Sequence, residues 1–383
     1  MSSGIVVSGS VAAGFEEVRA EFAAVLAELP DEPGAQLAVY REGRRVVDLW
    51  AGDQVTGDTL TPVYSATKGA AHLVMALLVQ DGALDLNRTV AHYWPEFAAH
   101  GKGELTLREL LAHRSGAIGV DAGFTRAELA DDRLSAERLA GHRPFWKPGT
   151  AYGYHAFVIG ALTGEVVRRA TGRSIQEVYE EHVRAPYDLD MYLGLPAEAQ
   201  VRTLDMLPMA PTPAQRARMS ANAPDRFGRT GVAFNLNAEQ PTDLVEFANS
   251  REVRALGPAS SGGVGNARGL AGMYAAAIAE SVGRPALLKP ETITEFARVH
   301  WRGTDLVTDE HDHFALGFEA LGVRYPFLGA DAFGHSGAAG SLAFAAPHSG
   351  IAYGYARRRF AYPGGAAPEN TRLMRAVIRA ANG

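Results

Sequence analysis

The chain has 383 residues, 47% of them hydrophobic and 21% charged, so it can bury a large core and its length fits two structural lobes. A formal net charge of -6 with scattered lysines and arginines leaves no basic face for nucleic acid. Cysteine is absent, which excludes disulfides, cysteine-ligated zinc and a thiol nucleophile and leaves covalent chemistry to a serine.

Met1 to Phe15 has no basic leader region, and no stretch reaches the roughly 18 apolar residues of a membrane span. A cytoplasmic protein without a membrane partner is expected. Phe15 to Leu29 is an amphipathic helix, with Phe15, Val18, Phe22, Val25, Leu26 and Leu29 on one side. Pro30-Asp31-Glu32-Pro33-Gly34 ends it. The β-prone runs Gln36–Tyr40 and Arg45–Trp50 flank Arg41-Glu42-Gly43-Arg44, a hairpin signal.

Val63-Tyr64-Ser65-Ala66-Thr67-Lys68-Gly69 then leads into an apolar segment in which Leu73, Val74, Leu77 and Leu78 follow a buried-helix rhythm. Ser65 therefore lies at or near a helix N-terminus, and Lys68, three residues on, can share its face. An activated serine nucleophile needs such an amine, together with the amides and dipole of a helix start. Serines also cap ordinary helices, so this motif by itself leaves both readings open.

Further along, Asp81–Leu86 is a turn, Val90–Trp94 a short amphipathic piece, and Leu105–His113 a helix capped at Thr106. His113 reads as a buried structural histidine. A helical pattern over Ala156–Ala170 ends at Thr171-Gly172. The glycine-rich loop Ser260–Asn266 precedes a helix over Ala267–Ile278. Phe314–Leu321 and Tyr325–Phe333 read as extended, and Gly340–Ala345 with Ile351–Tyr355 form a hairpin through Pro347-His348-Ser349-Gly350. A helix over Thr371–Ala381 closes the chain. The expected fold class is α+β: an antiparallel sheet flanked by terminal helices, with an inserted, mostly helical lobe. The expected division is a sheet domain from 1–69 and 246–383 and a helical domain from 70–245, with the site in the cleft between them.

Three segments, Ser65-Ala66-Thr67-Lys68, Pro148-Gly149-Thr150-Ala151-Tyr152-Gly153-Tyr154 and His335-Ser336-Gly337, resemble in order and spacing the three motifs of the class C β-lactamase and penicillin-recognising serine hydrolase superfamily. Leu105 to Gly116 resembles its T-x-x-x-L-L-x-H-x-S-G signature. The resemblance runs from about Gln36 to Ala356 and implies a β-lactamase/transpeptidase-like fold. By motif style the chain is most similar to family VIII carboxylesterases and related transacylases. Ala156 stands where β-lactamases usually carry an asparagine, and His335 stands in place of the lysine of their third box, a group near neutral at pH 7.

The resemblance implies Ser65 as nucleophile, with Lys68 and Tyr154 sharing the proton traffic, the phenol shedding its proton more readily beside a cation. It implies an oxyanion hole from the amides of Ser65 and Ala338. His335, Ser336, Gly337, Tyr152 and His155 would orient the substrate, Tyr152 being the packing aromatic of the second motif. The expected activity is hydrolysis of small-molecule esters through an acyl-serine; the alternative is transfer of the same acyl group to an amine or alcohol, and efficient β-lactam hydrolysis is not expected. No cofactor and no metal are expected: His311-Asp312-His313 lacks a third ligand and reads as a solvated loop. Gly334–Ala338 imitates a nucleophile elbow, but no aspartate follows Ser336, and His348 and Glu369 come in the wrong order for that fold. The pocket walls are expected from loops at Gly119–Phe145 and Leu204–Leu244.

Overall fold

The computed structural model describes residues 5–311 and 313–383. Its strands are β1 (Val7–Val11), β2 (Ala35–Arg41), β3 (Arg44–Ala51), β4 (Thr61–Pro62), β5 (Met191–Tyr192) and β6 (Val264–Gly265). They continue with β7 (Glu319–Ala320), β8 (Phe333–Ser336), β9 (Leu342–Ala346) and β10 (Ile351–Arg357). Seven of them form an antiparallel sheet in the order β1-β3-β2-β10-β9-β8-β7, and β4-β6-β5 form a small second sheet. The α+β class and the antiparallel sheet agree with the expectation.

Side-chain size alternates across the large sheet, because successive residues of a strand face opposite ways. Leu37, Val39, Leu342, Phe344, Ile351, Tyr353 and Tyr355 point to the outer face, where α1 (Glu16–Ala27) and the C-terminal helix Glu369–Asn382 cover them. Ala38, Ala343, Ala345, Ala352 and Ala356 point inward. These small residues let the alanine-rich helix Ala267–Ile278 press onto the sheet: a Cβ on Gly354 would lie 2.4 Å from the Ala267 carbonyl oxygen. The same core continues into α2 (Thr67–Gln80) and the helix Ile159–Thr171, so the inner sheet face and the helical body share one apolar interior.

Several sequence expectations are corrected. Val7–Val11 is an edge strand paired with β3, although its run Val-Ser-Gly-Ser-Val carries little β signal. Most of Phe314–Phe333 is not extended: only Glu319–Ala320 and the first residue of β8 lie in strands, while Leu321–Arg324 and Pro326–Leu328 are helical turns. Pro326 and Gly329, with φ 96°, punctuate that run. The two expected wall loops contain helices at Arg126–Ala130, Asp132–Gly141, Pro213–Ala221 and Arg229–Ala233. No helix among the described residues is long and apolar enough to cross a membrane.

Candidate active site

Ser65 sits in a 3-10 turn, Tyr64–Ala66, that runs directly into α2. Tyr64 holds a left-handed backbone (φ 51°), a conformation that costs about 1–3 kcal/mol in a residue with a side chain. Its surroundings enforce it: the ring packs edge-on against Phe360, and the hydroxyl donates to the Leu244 carbonyl at 3.2 Å. The glycine-rich loop clamps the start of α2. Val63 N–H donates to the Gly263 carbonyl at 3.0 Å, Gly263 N–H donates to Thr67 Oγ1 at 2.9 Å, and Thr67 Oγ1 donates to the Tyr64 carbonyl. Ser65 is left half-buried.

Lys68 is fully buried, and its Nζ lies 3.1 Å from Ser65 Oγ. Nζ donates to the carbonyls of Ala156 at 2.6 Å and Ser260 at 2.8 Å. Burial drives its pKa well below the ordinary lysine value, opposed only by the charge of Glu319. A neutral amine has two N–H bonds and one lone pair; with both hydrogens on carbonyls, the lone pair faces the Ser65 hydroxyl.

Tyr154 Oη donates to Ser65 Oγ at 2.7 Å, and Lys68 Nζ lies 4.9 Å from the centre of the Tyr154 ring. The phenol is clamped by Phe314, stacked at 5.3 Å, and by His113 and His335 at 5.6 and 6.0 Å. Asp305 accepts the Tyr154 N–H at 3.1 Å. The expectation of an easily lost phenolic proton is corrected. Burial raises the Tyr154 pKa above its ordinary value; the hydrogen bond with Ser65 opposes this, and Glu319 and Asp305 add to it.

Strand β8 ends against the nucleophile turn. Ser341 Oγ donates to the Val63 carbonyl at 3.1 Å, and a Cβ on Gly337 would lie 2.3 Å from that same oxygen. Gly337 is therefore required by close approach, and Ala338 follows it, packed against the cluster around Tyr64. Among the described residues neither the Ser65 nor the Ala338 amide N–H has an intramolecular acceptor.

Four residues expected to orient the substrate lie elsewhere. Tyr152 donates its hydroxyl to the Gly303 carbonyl at 2.8 Å and packs with Ile118 and Val307. His155 has no exposed surface. Its Nδ1–H donates to the Gly153 carbonyl at 2.7 Å, its Nε2 accepts from Ser115 Oγ at 2.6 Å, and burial lowers its pKa to about 4. Ser336 Oγ donates to Glu319 Oε1 at 2.6 Å. His335 is 1% exposed and sits behind Tyr154, with Nδ1 donating to the Ser336 carbonyl at 2.8 Å and its pKa lowered to about 4 by burial. These side chains support the site from behind its surface.

His313, read as part of a solvated loop, is buried, with Nε2 3.9 Å from Asp305 and 3.8 Å from Glu310; Asp312 lies outside the described residues. No group of metal-ligating side chains occurs among the described residues. Sequence reasoning missed Glu319, Asp305 and the Ser260 and Ala156 carbonyls. Only Glu319 left a trace, as the single charge inside the apolar run Phe314–Leu321.

Comparison with known proteins gives matches over nearly the whole chain. A family model described as Beta-lactamase matches residues 22–377. Esterase/beta-lactamase LipL of Mycobacterium tuberculosis is 30% identical over 344 residues, 86% of this chain and 78% of that protein. The structure of EstA from Arthrobacter nitroguajacolicus Rue61a superposes with a TM-score of 0.90 at 41% identity, covering 98% of this chain and 99% of the other. A family VIII carboxylesterase superposes with a TM-score of 0.86 at 34% identity, covering 98% and 100%.

Proposed function

The chain belongs to the beta-lactamase family, and from that premise we propose that it is a carboxylesterase that cleaves small-molecule esters through an acyl-serine at Ser65. The observation that carries this reading is the convergence of three groups from distant parts of the chain, with Lys68 Nζ at 3.1 Å and Tyr154 Oη at 2.7 Å from one serine hydroxyl. Lys68 is the base. Its lone pair takes the Oγ proton as Oγ bonds to the ester carbonyl carbon, while Tyr154 stays a neutral donor to that oxygen. The Ser65 and Ala338 amides hold the oxyanion, each donor worth about 3–4 kcal/mol in the transition state. The tetrahedral intermediate then expels the alcohol, which recovers a proton from the Lys68–Tyr154 pair, and water repeats the sequence to release the acid.

The substrate class follows from what stands at the motif positions around the site. His335 is buried and neutral, so the position of the third-box cation offers no charge to a β-lactam carboxylate. Ala156, buried beside Tyr154, has no amide at the motif position where β-lactamases usually carry an asparagine. Esters of uncharged acyl groups fit this chemistry better than β-lactams do.

The test is intact-protein mass spectrometry with p-nitrophenyl esters of increasing chain length, with and without added amine. A transient acyl adduct on Ser65 is expected, with acid as the main product. Ser65→Ala should lower ester turnover by at least ~10³-fold. Activity above a tenth of wild type in that variant would overturn the assignment. Amide exceeding acid in the presence of amine would make the protein an acyltransferase, and efficient cephalosporin turnover would refute the argument from Ala156 and His335.

A further inference from the structure

Tyr154 reaches Ser65 from a stretch of chain with no secondary structure of its own. Residues 151–155 lie in neither a helix nor a strand, so each buried backbone group among them needs a partner from elsewhere. Gly153 N–H donates to the His113 carbonyl at 3.1 Å, the Tyr152 carbonyl accepts the Leu306 N–H at 3.0 Å, and His155 N–H donates to His113 Nδ1 at 3.2 Å. The Tyr154 N–H goes instead to a carboxylate oxygen, Oδ1 of Asp305, at 3.1 Å. Asp305 has no exposed surface and lies 151 positions further along the chain.

That oxygen is itself fixed from the other side. It also accepts the Val307 N–H at 2.7 Å and the Thr308 N–H at 3.0 Å, a turn in which an aspartate side chain binds the amides two and three residues on. Asp305 N–H closes the turn on the Glu310 carbonyl at 2.8 Å, and Asp309 N–H donates to the Asp305 carbonyl at 3.0 Å. The turn presses against the tyrosine segment: a Cβ on Gly153 would lie 3.1 Å from Val307 Cγ2 and 3.4 Å from Leu306 Cβ. It is tied down at its flanks, where Tyr152 Oη donates to the Gly303 carbonyl at 2.8 Å and Thr230 Oγ1 to the Val307 carbonyl at 2.6 Å. One buried oxygen thus joins a braced turn to the backbone of the residue whose phenol lies 2.7 Å from Ser65 Oγ.

We propose that Asp305 is a positioning residue of this reaction, the group that sets the Tyr154 backbone so that its hydroxyl meets Ser65. The inference rests on the functional reading above and adds a residue that none of the three motifs contains. Asp305 acts through Tyr154 and touches neither the nucleophile nor the substrate. The geometry has little slack: O–H···O bonds span about 2.5–3.0 Å, so a backbone shift of about half an ångström takes the phenol out of range. A misplacement of about 1 Å in a catalytic group costs on the order of 10²-fold. If the role is positioning, an acceptor at Oδ1 is what counts, and the effect of losing it vanishes once the phenol has no hydroxyl to place.

The experiment is a double-mutant cycle between Asp305 and Tyr154, with kcat and KM measured on a p-nitrophenyl ester and the labelling rate of Ser65 measured with a fluorophosphonate probe. Asp305→Ala should lower kcat and the labelling rate by about 10–10²-fold and change KM by less than about threefold. Asp305→Asn keeps an oxygen that accepts the same amides and should recover both to within about threefold of wild type. In a Tyr154→Phe background, Asp305→Ala should cost less than about threefold further, because the hydroxyl it places is gone. If Asp305→Ala does not fold, Asp305→Glu, whose acceptor sits one methylene further out, takes its place in the cycle with the same expected loss. Additive losses in the cycle, or an Asp305→Asn variant as slow as the disrupted one, would overturn the proposal while leaving the esterase reading intact. Absence of labelling at Ser65 in wild type would remove both.

Discussion

At the scale of single residues, burial decides which group moves the proton. Lys68 and Tyr154 are both driven toward their neutral forms, and neutrality makes an amine a base but leaves a phenol a donor. The sign for activity follows. Lys68 has its pKa depressed and is active unprotonated, so kcat/KM should be flat at alkaline pH and fall as pH drops through the lysine pKa. A rate profile with an alkaline limb near neutrality would contradict this. Lys68→Arg keeps the positive charge but cannot lose its proton, and should reduce kcat/KM by about 10²–10⁴-fold at every pH, as stopped-flow acylation rates would show.

At the scale of elements, the site is a junction of three short pieces: the turn before α2, the Tyr152–Ala156 segment and the end of β8. Gly337 joins two of them. A Cβ there would lie 2.2 Å from Ser341 Oγ and 2.3 Å from the Val63 carbonyl, one of which is backbone and cannot swing aside. Gly337→Ala should therefore push the β8–β9 turn away from Ser65 and displace the Ala338 amide. The expected loss is about 10²–10³-fold in kcat, with a smaller change in KM, because an oxyanion donor acts mainly in the transition state. A KM effect alone would mean that Ala338 N–H does not face the oxyanion.

At the scale of the whole molecule, the interior around the Ser65 turn holds four buried histidines: His72, His113, His155 and His335. Burial depresses their folded-state pKa values, to about 3 for His72 and about 4 for His155 and His335, from near 6.5 in the unfolded chain. A depressed pKa gives stability that is present above the unfolded value and lost as pH falls through the folded one. Asp132, whose pKa is raised to about 6, works in the opposite sense over part of that range, as do Glu32 and Asp305, also raised by burial; His300 and His313, lowered by burial, add to the four. The thermal midpoint should accordingly fall by several degrees between pH 7 and pH 4.5, measured by calorimetry. A midpoint that held or rose on acidification would show that these rings are not buried neutral.

Local features were legible in the sequence. Ser65 and Lys68 stand three residues apart on one helix start, the outer-face strands alternate in period two, and the helix Ala267–Ile278 has the bounds its pattern gave. These depend on neighbours along the chain, which the sequence lists directly. The two-residue strands β4, β5 and β6 carry no period to read, and proline with glycine turned an apolar run into helical turns. The placement of His155, Ser336 and Glu319 was beyond reach for another reason. Whether a polar side chain meets the substrate or a buried partner is set by contacts across 17 to 192 positions, such as Glu319 with Ser336 and Lys68 with Ser260, and only the packed structure brings those groups together.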